Sequence, residues 1–270
     1  MPERAHVADH YGAHYSAFAA DVYAAVRREA FGVDVGQNSW HTVDELERFG
    51  RSLELGPGAR LLDVGCGSGG PALHLVQTTG CVVVGVEQFE EAVDGAGRQA
   101  RERGLASQAR FVRADAAQPL PFDDGSFDAL LCVDVVNHLP NRRRVLEDWA
   151  RVLRSGGRLV FTDPVSITGV LDSDELAVRT SIGYFVFVPP GENERLLVAA
   201  GLTPVGVEDA TEHQADVAAR RRDARASHAV ALRQIEGDEA FDGRQRFFDV
   251  VARLAGERRL SRLVYTAEKA

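Results

Sequence analysis

The sequence has few cysteines, no long apolar run and a shortage of positive charge, and each of these narrows the choice of function. Its three cysteines, Cys66, Cys81 and Cys132, show no paired or metal-like spacing, so we expect buried reduced thiols rather than disulfides or metal ligands. No apolar stretch is long enough to cross a bilayer, and the polar N-terminus has no secretory core, so we expect a cytoplasmic protein without membrane association. The formal net charge of -9 argues against nucleic-acid binding. A small-molecule enzyme without a metal fits this composition best.

The most informative stretch is a glycine-rich turn within residues 61–71, which read LLDVGCGSGGP. Its first residues predict a short buried strand, and the glycines let the backbone turn sharply and approach a ligand closely. Pro71 stands where a helix can begin without an amide donor. A second apolar strand stops at Glu87, where a carboxylate could accept hydrogen bonds from ribose hydroxyls. Together these residues predict a nucleotide-binding α/β unit.

Strands alternate with helices through the middle of the chain, which predicts an α/β fold with a doubly wound parallel sheet. We expect the strands at residues 60–65, 81–87, 110–113, 127–133 and 158–162, and the helices at 71–79, 90–103 and 141–153. Two helices precede the sheet, at about residues 13–30 and 42–55. After it we expect helical pieces at 173–181 and 190–200, strands at 203–208 and 261–266, and a charged helical region at 211–258.

No internal repeat or low-complexity linker divides the 270 residues, so we expect one domain. It would consist of an N-terminal helical lid (residues 1–56), a cofactor-binding core (57–163) and a substrate cap with the C-terminal strands (164–270).

Five motifs in order resemble those of the class I S-adenosylmethionine-dependent methyltransferases. They are the glycine stretch 61–69, Glu87 at the end of the second strand, Asp115 with Ala116 after the third, residues 120–122 with 127–128 at the fourth, and residues 153–157 before the fifth. The resemblance implies a Rossmann-like, seven-stranded sheet of order 3-2-1-4-5-7-6 with the last strand antiparallel. It also implies ligands at the carboxyl ends of the parallel strands.

The resemblance implies S-adenosylmethionine as the cofactor and assigns roles to individual residues. Glu87 would accept from both ribose hydroxyls, Phe89 would flank the adenine, and Asp115 would accept from its amino group. The glycine loop, with Asp63 behind it, would hold the methionine end. The full expected set is Tyr11, Ser39, Trp40, Asp63, Gly65, Cys66, Gly67, Glu87, Gln88, Phe89, Asp115, Ala116, Cys132, Val133 and His138.

His138, just past the fourth strand, is the expected general base, because a neutral imidazole can take a proton from a hydroxyl or an amine. Asp134 is the second candidate. The alternatives are a structural His-Leu-Pro turn for His138 and a cap or cofactor-shell acid for Asp134. We expect substrate contacts from Tyr15, Tyr184, Phe185 and Phe187, with ordinary packing as the alternative. The basic run 220–222 could attract an anionic substrate, but a solvated helix face is the preferred interpretation.

We therefore expect methyl transfer to an oxygen or nitrogen of a small molecule, in secondary metabolism. Within the family the chain resembles enzymes acting on glycine derivatives, phosphoethanolamine or natural-product sugars. The alternatives are a C-methyltransferase, an NAD-dependent oxidoreductase with a similar loop, and a noncatalytic cofactor-binding protein. A homodimer is also considered.

Overall fold

The computed structural model describes residues 20–270. Tyr11, Tyr15 and the first part of the expected N-terminal helix lie outside the described residues. The helix itself is present from Asp21 to Phe31 and is called α1.

A seven-stranded sheet forms the centre of the protein, in the order β3-β2-β1-β4-β5-β7-β6. Strands β1 to β5 run parallel, and β7 lies antiparallel between β5 and β6. Both the expected order and the antiparallel last strand are confirmed. The strands are β1 (Arg60–Val64), β2 (Val82–Glu87), β3 (Ala109–Arg113), β4 (Phe127–Cys132), β5 (Leu153–Ile167), β6 (Leu202–Asp209) and β7 (Leu260–Lys269).

β5 is much longer than the sequence predicts, because its pairing with β7 continues to Ile167 beyond an irregularity after Asp163. The helical region at 211–258 is also divided, by His228 and by Gly237, whose φ of +83° ends a helix. The helices after α1 are α2 (Val43–Ser52), α3 (Gly70–Thr79), α4 (Glu90–Glu102), α5 (Arg142–Val152), α6 (Ser173–Arg179), α7 (Glu192–Ala199), α8 (Thr211–Ser227), α9 (Ala229–Glu236) and α10 (Asp238–Gly256).

Apolar side chains cover both faces of the sheet, as expected for parallel strands between helices. Alternate strand residues point to opposite faces: Leu62 packs in the core beside Trp149, and Leu61 packs in the core beside Leu73. All three cysteines are buried and free, which agrees with reduced thiols.

A third apolar cluster joins the N-terminal and C-terminal helices. Tyr23 and Phe31 of α1 pack with Val217 of α8 and Phe248 of α10, and Trp40 belongs to the same cluster. These helices therefore form a cap beside the loop that follows α1. Among residues 20–270, no helix is long and apolar enough to cross a membrane.

Candidate functional site

The glycine loop after β1 fits so closely between its neighbours that larger residues are excluded. A Cβ on Gly65, whose φ is +75°, would lie 2.5 Å from Val135 Cγ2 in the turn after β4. A Cβ on Gly70 would lie 1.7 Å from the carbonyl oxygen of Val35. The Ser68 hydroxyl also donates to the Gly36 carbonyl, at 3.2 Å. The loop that follows α1 therefore lies directly over the glycine loop.

Two buried carboxylates stand beside this loop. Glu87, at the end of β2, accepts from the Gly67 amide (Oε2, 3.1 Å) and from the Gln88 amide (Oε1, 2.7 Å). Burial raises the pKa of Glu87. Burial, with the neighbouring charge of Glu87, raises the pKa of Asp63 to about 7. Burial also raises the pKa of the Cys66 thiol between them, well above its usual value.

This pair of acids favours one of the two cofactors that the glycine loop could serve, although a ribose-binding acid such as Glu87 occurs with both. A ligand carrying positive charge would stabilise both carboxylates, whereas a pyrophosphate would be repelled by them. S-adenosylmethionine carries an ammonium and a sulfonium, and NAD carries a pyrophosphate. The two buried carboxylates, Asp63 and Glu87, therefore fit S-adenosylmethionine.

The remaining residues expected at the adenine lie at the ends of β2 and β3. Phe89 is half-buried and donates its amide to Glu87 Oε1 at 3.3 Å. Asp115 is exposed, and its Oδ1 accepts from the Ala117 amide at 2.9 Å, which is an ordinary aspartate turn. Ala116 packs against the core beneath it. Gln88 is exposed and contributes its amide to Glu87.

Cys132 and Val133 end β4 on the same edge of the sheet. Burial raises the pKa of Cys132 well above its usual value, so the thiol stays protonated. Val133 packs against the apolar cluster of the opposite face.

Asp134, which has a φ of +56°, is the centre of a buried ionic cluster. Its Oδ1 accepts from Arg262 Nε (2.8 Å) and from the Thr162 hydroxyl (2.6 Å), and its Oδ2 accepts from the Trp40 amide (3.1 Å). Arg262 also donates to Glu45 Oε1 at 2.7 Å. Burial opposes ionisation, but the charge and hydrogen bonds of Arg262 lower the pKa of Asp134 below its usual value. This geometry makes Asp134 an anchor for the loop that carries Trp40.

His138 lies in a one-turn 3-10 helix, Val136–His138, after β4. Its Nδ1 lies 2.9 Å from the carbonyl oxygen of Tyr184, and since a carbonyl can only accept, Nδ1 carries the proton. Nε2 is therefore the basic nitrogen. Burial lowers the pKa of His138 to about 4, so the ring is neutral at physiological pH.

A cavity of about 100 Å³ lies between the turn after β4 and the helical cap. Asp134 and His138 contribute to its wall, as do Ser39 and Trp40 of the loop after α1. Among the other lining residues, the sequence pointed to Asn38, as a polar loop residue with donors for a ligand, and to Phe185 and Arg221. The rest become neighbours only through packing of the cap. The other lining residues are Asn38, Asn137, Pro164, Arg179, Ile182, Phe185, Arg221, Arg244, Phe247 and Phe248.

The aromatic run at 184–187 does not act as one block. Phe185 lines the cavity and stacks edge-on against His138, with the ring centroids 4.5 Å apart. The Tyr184 side chain is 51% exposed, and this residue contributes its carbonyl group instead. Phe187 packs against the apolar cluster around Val165.

The interpretation of residues 220–222 as a solvated face is wrong for Arg221. Its Nη1 donates to the carbonyls of Asn38 (3.2 Å) and Ser39 (2.9 Å), and its guanidinium lies over the Trp40 ring at 5.3 Å. Arg221 is therefore a second anchor of the loop after α1, because α8 turns this side chain towards the cavity. Among the described residues, no cluster of histidine, cysteine and acidic side chains could hold a metal ion.

Comparison with known proteins gives consistent matches. A family model described as a methyltransferase domain matches residues 62–161. The 27-O-demethylrifamycin SV methyltransferase of Amycolatopsis mediterranei (strain S699) is 31% identical over 205 residues, which cover 72% of this chain and 75% of that protein. The sarcosine/dimethylglycine N-methyltransferase of Halorhodospira halochloris is 37% identical over 131 residues, 48% of this chain and 46% of that protein.

This chain thus spans about half the length of the second relative. Relatives matched by sequence include O-, N- and C-methyltransferases. The structure resembles that of a putative sarcosine dimethylglycine methyltransferase from Galdieria sulphuraria, with a TM-score of 0.77, 19% identity and 84% of each chain covered. That likeness concerns the fold. Together with the loop, the two acids and the sheet order, the sequence matches establish that the chain belongs to the class I S-adenosylmethionine-dependent methyltransferases.

Proposed function

We propose that this enzyme methylates an oxygen or a nitrogen of a small molecule held in the cavity between His138 and the helical cap. S-adenosylmethionine supplies an electrophilic methyl group on a positively charged sulfur. Glu87 and Asp63, with the loop containing Gly65, Cys66 and Gly67, would hold it. Phe89, Asp115 and Ala116 would surround its adenine at the ends of β2 and β3.

The observation that carries this proposal is the orientation of His138 in the cavity wall. The Tyr184 carbonyl accepts from Nδ1–H, so the basic lone pair is on Nε2 of a ring that burial keeps neutral. A neutral base can receive the proton that a hydroxyl or an amine loses when it is methylated. The Asp134 carboxylate, held by Arg262, is less basic and would act by positioning the loop with Ser39 and Trp40.

The charges of the cavity favour oxygen over nitrogen. Arg179, Arg221 and Arg244 line it, and Arg244 also pairs with Glu236 at 3.8 Å. The single lining carboxylate among the described residues is Asp134, which pairs with Arg262. Positive charge lowers the pKa of a nearby hydroxyl and opposes binding of a protonated amine. The similarity to a methyltransferase named for a demethylrifamycin supports an oxygen acceptor and a role in secondary metabolism.

A screen with isotopically labelled S-adenosylmethionine tests the proposal. Matched hydroxyl and amine compounds serve as acceptors, and we expect label in the hydroxyl compounds. His138→Ala should lower turnover by about 10²–10⁴-fold, the usual contribution of a general base, with the dissociation constant of S-adenosylmethionine unchanged. His228→Ala is the matched control, since His228 pairs with Glu29 on the cap surface.

Unchanged turnover in His138→Ala would assign this residue to structure. Binding of S-adenosylmethionine without methylation of any acceptor would instead support the noncatalytic alternative. A cytoplasmic location without a nucleic-acid or membrane partner is also part of the proposal, supported by the net charge of -9. The homodimer, the single domain and its three parts stay predictions.

A further inference from the structure

One polar side chain in the cavity wall has no role in the scheme above. Asn137, in the 3-10 helix next to His138, is 1% exposed. Neither its Oδ1 nor its Nδ2 has a hydrogen-bond partner among residues 20–270. Leaving a buried amide unsatisfied is unfavourable, and native proteins rarely do so without a functional reason.

The backbone around Asn137 is firmly held, which fixes the point from which its side chain starts in the cavity wall. Its carbonyl accepts from the Val186 amide at 2.7 Å. One turn further on, the buried guanidinium of Arg142 donates to the Val186 carbonyl at 3.2 Å and pairs with Asp163. The neighbouring His138 is fixed to Tyr184. The 3-10 helix and the aromatic segment therefore form one rigid wall.

The other asparagine of the cavity is satisfied by the protein itself. Asn38 Oδ1 accepts from Arg221 Nη2 at 3.2 Å, and its carbonyl accepts from Arg221 Nη1 at the same distance. Of these two amides, Asn137 is the one left for a ligand. An amide side chain offers one acceptor and two donor hydrogens, so it pairs with a partner that has a donor and an acceptor on neighbouring atoms.

We propose that Asn137 is an acceptor-binding residue that selects molecules with adjacent hydrogen-bond donor and acceptor groups, such as a hydroxyl beside a carbonyl, a lactam or a carboxamide. The Nδ2–H group of Asn137 would donate to the carbonyl oxygen of the molecule that is methylated. Its Oδ1 would accept from an O–H or N–H of the same molecule. This rests on the proposed use of the cavity as the acceptor site. A polar site of this kind rejects a molecule lacking the matching groups, because its own buried polar atoms are then left unpaired.

The binding test uses benzamide, a planar ring that carries an adjacent N–H and C=O, with ethylbenzene as the apolar analogue. Both are titrated calorimetrically into the wild-type protein saturated with S-adenosylhomocysteine. We expect benzamide to bind and Asn137→Leu to weaken its binding at least about tenfold, with ethylbenzene showing no such loss. Asn137→Asp keeps the shape, removes the donor, and should also weaken benzamide. Failure of benzamide to bind the wild-type protein, or equal binding by the variants, overturns the proposal.

The stability of the variants separates ligand binding from a structural role. Asn137→Leu removes an unsatisfied amide, so the midpoint of its urea unfolding should equal or exceed that of the wild type. Asn38→Leu, the matched control in the same cavity, loses its bond to Arg221 and should unfold at lower urea. A lowered midpoint for Asn137→Leu would mean that the protein itself satisfies the amide, and would refute the proposal.

Methyl transfer distinguishes this inference from the proposed function. Benzamide binding that depends on Asn137, without methylation of any acceptor, would refute only the proposed function. Methylation of a compound with a hydroxyl beside a carbonyl that is equally fast in Asn137→Leu would refute only the role of Asn137.

Discussion

Replacement of Asp63 by asparagine should make the cofactor-free protein more stable at neutral pH. Burial, aided by the charge of Glu87, raises the pKa of Asp63 from 3.8 to about 7. The folded protein thus holds this proton more tightly than the unfolded chain does. The contribution of this bound proton to the free energy of unfolding is complete below pH 4 and is lost as the pH rises through 7. Asparagine has the same shape and cannot ionise, so it removes this loss.

The expected size follows from the shift. A change of about three pKa units, at about 1.4 kcal/mol per unit, corresponds to about 4 kcal/mol of unfolding free energy at pH 8, as an upper bound. Because Asp63 is almost completely buried, solvent screens little of this difference. The advantage of Asp63→Asn should shrink towards zero at pH 4. Binding of S-adenosylmethionine should be weaker in this variant, because the cationic ligand loses one carboxylate.

Urea unfolding at pH 4.5 and at pH 8, without ligand, measures the difference. Asp128→Asn is the matched control, because its hydrogen bond to Arg154 lowers the pKa of Asp128 below 3.8, so the carboxylate is ionised at both pH values and its removal should destabilise the protein about equally at pH 4.5 and at pH 8. If Asp63→Asn is equally destabilising at pH 4.5 and at pH 8, Asp63 is ionised and well solvated by the folded protein, and the reasoning fails.

Two further predictions concern the loop that follows α1. Arg262→Met should lower the unfolding free energy by about 3–5 kcal/mol in urea titrations, because Asp134 and Glu45 stay buried without this cation; Arg143→Met, which removes a surface pair with Glu147, should cost less than about 1 kcal/mol, and equal losses would contradict the argument. Gly70→Ala places a methyl group against the Val35 carbonyl and should weaken S-adenosylmethionine binding at least about tenfold by calorimetry, whereas Gly243→Ala, where the added methyl would meet nothing within 4 Å, should bind normally.

The strands and the cofactor edge could be predicted because their signals are local. An apolar run that stops at Glu87, and glycines that follow Asp63, place these acids at strand ends whatever the rest of the chain does. The same holds for His138, which comes directly after β4. A parallel sheet then brings such ends to one edge.

The cavity wall could not be predicted in the same way, because its contacts join distant parts of the chain. Asp134 and Arg262 are separated by 128 positions, and the sequence around either residue does not indicate that the other is its partner. Arg221 is indistinguishable in sequence from its two arginine neighbours, and only the packing of α8 decides which one meets Trp40. In the extended segment after α6, the exposed side chain of Tyr184 and the cavity-lining ring of Phe185 differ by a single position.

The position of β7 has a consequence for how the enzyme is made. This strand follows the other six strands in the chain, yet it lies inside the sheet, between β5 and β6. It also carries Arg262, the partner of both Asp134 and Glu45. A nascent chain in which β7 has not yet paired therefore has an open edge at β5 and lacks the cation that fastens the loop with Trp40. The cavity between the turn after β4 and the helical cap can therefore close only once β7 has paired with β5 and β6.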